Sequence, residues 1–225
     1  MPRSMIAKKN IPNLLTMLRL VLAAVFFALL AYYRFDTDRY VLLLPAIALF
    51  IAAALTDALD GYYARKWQVE SKFGRIMDPF CDKVLILGAL VFLAGPAFAY
   101  PMPVFEDNIA TGKSELVQHS GVLPWMVVVI FARELLVTGI RGELEGSGHK
   151  FGANLWGKLK MILQSVVIPF VLLVVYLIDS EFQFADMLLL PRDILVYATI
   201  VVTVLSGLPY MTGAYRVSKA EPVGK

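Results

Sequence analysis

One cysteine, two histidines and a charged fraction of 17% are what this 225-residue chain has little of. With Cys81 alone, no internal disulfide can form. His119 and His149 stand singly in loops, so no zinc-type Cys/His spacing exists. A soluble domain of this length is usually about a quarter charged and half apolar. Here 59% of residues are hydrophobic. No fixed-period repeat is visible, and no linker is long enough to set off a second domain. The reading is therefore one domain over residues 1–225.

The apolar residues come in long blocks, at 14–33, 40–59, 84–100, 122–140, 159–178 and 194–215. Each approaches the roughly 20 residues a helix needs to cross about 30 Å of hydrocarbon. Lipid requires backbone groups to be satisfied within each segment, so the expectation is an all-α integral membrane bundle of six transmembrane helices. The basic start, Arg3, Lys8 and Lys9, resembles a signal peptide. The following run is too long for one and carries Arg19, so an uncleaved first span is the better reading. Residues 2–12 read as a short juxtamembrane segment along the inner surface. Pro45, Pro169 and Pro209 fall inside spans and read as kinks. Residues 101–121 read as an outer loop with room for a short surface helix.

Charge sets the orientation. The face with both termini and the 2–3 and 4–5 loops holds 17 of the 21 Lys and Arg residues. The positive-inside rule makes that face cytoplasmic, on a cell (inner) membrane. The net charge of +3 averages a basic inner face and an acidic outer one, and is no nucleic-acid signal.

Residues 56–83 read TDALDGYYARKWQVESKFGRIMDPFCDK. Asp57 and Asp60 are spaced i, i+3 at the end of the second span, and Asp78 and Asp82 i, i+4 at the start of the third. Each pair shares a helix face. Consecutive helices on a short loop are expected to be antiparallel neighbours, so the four carboxylates can meet in one pocket. Like charges that close need compensation. An all-oxygen set selects Mg²⁺, Mn²⁺ or Ca²⁺ over zinc. Such metals usually complete their shells with phosphate oxygens and water, which suggests a phosphate-bearing substrate. Two ions could clamp a pyrophosphate, while a carboxylate outside the metal shell serves as general base. The plainer alternatives are solvated helix ends and a DxxDG helix stop. The second explains Gly61 but not Asp78 and Asp82.

Asp57-x2-Asp60-Gly61-x2-Ala64-Arg65-x8-Gly74-x3-Asp78-x3-Asp82 is similar to the signature of the CDP-alcohol phosphotransferase family, with eight fixed residues over 26 positions. The resemblance extends to most of the chain and to the six-span layout. It implies that a CDP-linked lipid donates its phosphatidyl group to an alcohol and CMP leaves. It also implies two metal ions, Mg²⁺ or Mn²⁺, on Asp57, Asp60 and Asp78, with Asp82 contributing and acting as base. Cytidine diphosphate binding falls to Gly61, Ala64, Arg65 and Gly74, beside Asp57 and Asp78. A homodimer formed through membrane helices is a further implication.

Three more segments resemble the bacterial phosphatidylglycerophosphate synthase branch: Asn10 to Arg19, Ala132-Arg133-Glu134 with Arg141, and Trp156 to Lys160. That branch takes CDP-diacylglycerol as donor and glycerol 3-phosphate as acceptor. The acceptor is a small dianion and needs cations at the inner face. Arg133, Arg141, Lys158 and Lys160 lie there, and arginine grips phosphate through paired hydrogen bonds. Asn13, Thr16 and Arg19 share a helix face and could complete the pocket. Simpler roles are open to several: a helix cap for Asn13, snorkelling for Arg19, surface anchoring for the other cations. Glu134 turns about 100° from Arg133 on an ideal helix, so it is not an obvious partner. The outer loop is longer than the branch leads one to expect. Other acceptors within the family are inositol phosphate, serine and phosphatidylglycerol. A divalent-cation transporter is the alternative of another class, and it leaves the Gly61, Ala64, Arg65 and Gly74 spacing unexplained.

Overall fold

A computed structural model describes the backbone of residues 3–67, 72–106, 109–146 and 155–220. Within those segments, the side chains of 3–13, 58, 60–65, 67, 72–76, 78–79, 104–106, 109–112, 144–146, 216–218 and 220 lie outside the described set. Six long helices carry the fold: α1 (Arg3–Tyr32), α2 (Leu43–Trp67), α3 (Lys72–Leu93), α4 (Pro124–Gly146), α5 (Leu155–Asp179) and α6 (Leu189–Ala220). The expected juxtamembrane segment is not separate; helix runs unbroken from Arg3 into the first apolar block. The third apolar block continues to Tyr100, but α3 stops at Leu93, just before Gly95-Pro96. The residue before a proline is pushed away from helical ψ. Pro45 is the third residue of α2, where a missing N–H leaves no helical hydrogen bond unmade, so no kink follows from it.

Apolar side chains point both ways. Phe26, Leu30, Phe50, Ile168 and Leu172 are fully buried, while Leu14, Val21, Val25, Ile51, Ile162 and Val166 face outward on the same helices. That all-round pattern suits a lipid solvent. Among the described residues, 14–32, 38–57, 155–179 and 185–215 are long and apolar enough to cross a membrane. The chain is thus a multi-pass membrane protein. Helices α3 and α4 have 22 and 23 residues but interrupt their apolar runs with Asp82 and Lys83, and with Arg133, Glu134 and Arg141.

α1 packs along α2 and also against α3; α5 packs on α6 and α2, and α4 on α6. Among the described residues α2 and α3 meet only slightly, and α1 contacts both more extensively. An aromatic cluster fills the α1–α2–α3 junction, with Phe26 tilted against Phe50 at 5.5 Å and Phe27 stacked on Phe92 at 5.7 Å. Gly88 admits Phe27, since a Cβ there would lie 2.5 Å from the ring.

The 99–118 segment is a β-hairpin, correcting both the loop reading and a strictly all-α fold. Strand β1 (Ala99–Glu106) pairs antiparallel with β2 (Ile109–Gln118), with Ala99 opposite Gln118 and an irregularity after Pro103. Pro101 and Pro103 are two apart, so both donor-less nitrogens can face the open edge. The hairpin is tied down where it rejoins the helices. Gln118 Nε2 and Ser120 Oγ donate to the Leu93 carbonyl, and Arg192 Nη1 donates to the His119 carbonyl at 2.6 Å. The His119 ring stacks on Phe35 at 3.9 Å. Tyr33 OH and the Asp36 N–H both donate to Asp179, joining the C-terminal ends of α1 and α5.

Candidate functional site

Four helices end their apolar stretches with polar side chains that line one cleft of about 800 Å³. α2 supplies Asp57, α3 Asp82 and Lys83, α4 Arg133, Glu134, Thr138 and Arg141, and α5 Lys158, Lys160 and Gln164. Tyr210 of α6 closes one side. Two of the expected aspartates, Asp57 and Asp82, and four expected cations of α4 and α5 therefore share one space, although they come from three separate stretches of sequence.

The carboxylates are organised by α1. Arg19, fully buried, sets Nη1 2.6 Å from Asp57 Oδ1 and 3.0 Å from Asp82 Oδ1. Thr16, one turn earlier on α1, is buried as well. Arg19 thus lies at the aspartates. A long side chain on a helix wedged against both α2 and α3 reaches the two nearest carboxylates, and at this depth an unpaired charge would be unfavourable. Two carboxylate oxygens from different helices converge on one cationic nitrogen. That convergence and the all-oxygen donor set fit a hard divalent ion. Asp60, Gly61, Ala64 and Arg65 are residues of α2, and Gly74 and Asp78 of α3. Their side chains, like that of Asn13, lie outside the described ones.

The second cluster centres on Glu134, the residue that sequence reasoning set aside. Its Oε1 accepts from Arg133 Nη1 at 2.7 Å and from Lys160 Nζ at 2.5 Å. Arg133 Nη2 also donates to Ser206 Oγ of α6 at 2.8 Å. Adjacent residues on a helix point apart at Cβ, but the four-bond arginine stem bends back to meet a carboxylate in apolar surroundings. Gly207 leaves room for that stem, since a Cβ there would stand 3.4 Å from Arg133 Cγ. Two cations share one carboxylate, so the cluster keeps an excess positive charge. Arg141 and Lys158 stand at the exposed rim. Lys83, also unforeseen, donates to Thr138 Oγ1 at 2.7 Å. Its place directly after Asp82 was the signal available for it.

The site is divided in kind. Asp57 and Asp82 meet at Arg19, where α1, α2 and α3 join, and the cations of α4 and α5 line the same cleft.

A family model, CDP-alcohol phosphatidyltransferase, matches residues 9–205. The chain is 32% identical over 221 residues to the CDP-diacylglycerol--glycerol-3-phosphate 3-phosphatidyltransferase of Bacillus subtilis (strain 168), covering 93% of this chain and 97% of that protein. The protein of the same name from Haemophilus influenzae is 27% identical over 207 residues, covering 91% and 92%. That from Cereibacter sphaeroides is 35% identical over 170 residues, covering 73% of this chain and 63% of the relative.

Proposed function

The chain belongs to the CDP-alcohol phosphatidyltransferase family, and from that premise we propose that it transfers the phosphatidyl group of CDP-diacylglycerol to sn-glycerol 3-phosphate, giving phosphatidylglycerophosphate and CMP. One observation carries the choice of acceptor. The cleft that contains Asp57 and Asp82 is also lined by Arg133, Arg141, Lys158 and Lys160. A lipid acceptor needs no such wall, whereas a small phosphorylated alcohol does.

In this reading a primary hydroxyl of glycerol 3-phosphate attacks the phosphorus that bears the diacylglycerol. The bond from that phosphorus to the bridging oxygen of CMP breaks, and CMP departs with the bond pair. Asp82 is assigned as the base that takes the hydroxyl proton. Arg19 holds Asp57 and Asp82 in register across the helix junction. Lys160 and Arg133, pre-set by Glu134, and the rim residues Arg141 and Lys158 orient the acceptor phosphate. Gly61, Ala64, Arg65 and Gly74 are assigned to the cytidine diphosphate. Two Mg²⁺ or Mn²⁺ ions on Asp57, Asp60 and Asp78, with Asp82, would supply charge neutralisation of the pyrophosphate.

All six helices are proposed to span a cell membrane, with both termini and the cleft cytoplasmic. The inner-face excess of Lys and Arg supports this orientation. Burial of Arg133 and Glu134 against α5 and α6, away from lipid, supports membrane depth for α4. Association of two copies through lipid-facing helices completes the reading.

The test is CMP release by the purified protein from CDP-diacylglycerol with Mg²⁺ or Mn²⁺, comparing acceptors. Release with glycerol 3-phosphate alone is expected. Release with inositol phosphate, serine or phosphatidylglycerol in its place would overturn the assignment of the cationic wall. Turnover that survives complete chelation of divalent ions would overturn the metal assignment.

A further inference from the structure

Helix α5 carries a polar residue that the reaction as described does not use. Gln164 lies one helical turn after Lys160, on the same face, and lines the same cleft. It is 3% exposed, and its amide Nε2 has no hydrogen-bond partner among the described residues. A buried amide without a partner is unfavourable and rare in folded proteins. Lys160, Arg133 and Ser206 are joined to Glu134 or to one another, so the unmet donor of Gln164 stands apart from that network.

We propose that Gln164 is a specificity residue for the acceptor, hydrogen-bonding the hydroxyl of glycerol 3-phosphate that does not react. The inference rests on the acceptor reading above and deepens it. Four residues along a helix span about 6 Å, comparable to the reach of a three-carbon polyol phosphate. With the phosphate at the Lys160 level, the middle hydroxyl falls short of the full turn, within hydrogen-bonding reach of the Gln164 side chain. A hydroxyl both donates and accepts, so it satisfies the amide in either orientation of its O and N atoms. The cleft then selects a phosphorylated polyol over a phosphorylated simple alcohol of the same length. A site built to hydrogen-bond a hydroxyl discriminates against the analogue lacking it, because its own buried polar group is left unpaired.

The experiment compares glycerol 3-phosphate with 3-hydroxypropyl phosphate, which keeps the phosphate and a primary hydroxyl but lacks the middle one. The full-length protein is used with CDP-diacylglycerol and Mg²⁺, as wild type, Gln164→Met and Gln164→Asn. Wild type is expected to favour glycerol 3-phosphate in kcat/KM by on the order of tenfold to a hundredfold. Gln164→Met should bring that ratio close to one, by losing rate on glycerol 3-phosphate alone. Its KM for CDP-diacylglycerol should be unchanged, and its melting temperature equal to or above that of wild type, since an unmet amide has been removed. Gln164→Asn, which draws the amide back by one methylene, should also lose most of the preference. Each ratio is measured on one preparation and so does not depend on the folded fraction. A variant ratio equal to that of wild type, including a parallel fall on both acceptors, would overturn the proposal and leave Gln164 a packing residue. Wild-type protein inactive with glycerol 3-phosphate but active with another acceptor would overturn the proposed function itself, a result read before any variant is made.

Discussion

Replacing Glu134 by glutamine should be among the most destabilising single changes in this protein. The substitution keeps shape and removes one negative charge. Arg133 and Lys160, with side chains 11% and 8% exposed, would lose the carboxylate they share. Removing one partner of a buried ion pair costs about 3–5 kcal/mol. Total stabilities are typically about 5–15 kcal/mol, so about a fifth of the margin or more is at stake. Lys160→Met is the control. It leaves Glu134 bonded to Arg133 at 2.7 Å and covers the buried lysine stem, so about 1–2 kcal/mol is expected. In the double variant Glu134→Gln/Lys160→Met only Arg133 lacks its carboxylate. The combined loss should therefore fall short of the sum of the single losses by about 1 kcal/mol or more. Thermal unfolding in detergent, followed by tryptophan fluorescence, gives all three values. A Glu134→Gln variant within about 0.5 kcal/mol of wild type, with additive singles, would refute the view that the three charges form one coupled unit.

Asp82→Asn should retain CDP-diacylglycerol binding, measured with radiolabelled lipid, while CMP release falls by at least about a hundredfold; undiminished turnover would remove Asp82 from the base role. Arg141→Ala should raise KM for glycerol 3-phosphate by roughly tenfold, with kcat less affected, and an unchanged KM would reassign Arg141 to surface anchoring. Beside the hairpin, burial first and Arg192 second push the His119 imidazole below its ordinary value of 6.5. The unfolded chain then binds a proton more readily than the folded one. The resulting stability is complete above about pH 6.5 and is lost as pH falls toward the lower folded value. His119→Phe, which keeps the stack on Phe35, should lose less melting temperature than wild type between about pH 7.5 and about pH 5.5; equal losses would show that His119 does not govern the acid sensitivity.

Much of this protein is legible one segment at a time. Apolar blocks near the membrane-spanning length announce helices because backbone hydrogen bonding and hydrophobic length are local properties. The i, i+3 and i, i+4 spacing of Asp57 with Asp60 and of Asp78 with Asp82 announces two acidic faces for the same reason. The cations Arg133, Arg141, Lys158 and Lys160 are legible as one polar wall because charge of one sign gathers at one end of the bundle, and all four do line the cleft. The hairpin at 99–118 was hidden by its composition. Prolines, glycine and charges read as loop until pairing partners are known, and pairing is a relation between segments.

What only the tertiary structure decided is which charges meet. Arg19 reads from its own helix as a cation near the inner surface, yet its guanidinium bridges Asp57 and Asp82, 38 and 63 positions away in the chain. Glu134 reads as pointing away from Arg133, yet it holds both Arg133 and Lys160, the latter from another helix. Gln164 carries no sequence signal at all; its unmet amide becomes visible only when α6, α2 and α3 pack against α5. Sequence periodicity reports the direction of a side chain relative to its own axis, whereas ion pairing and burial depend on how axes are placed relative to one another. That placement follows from packing over the whole bundle, which no single segment contains.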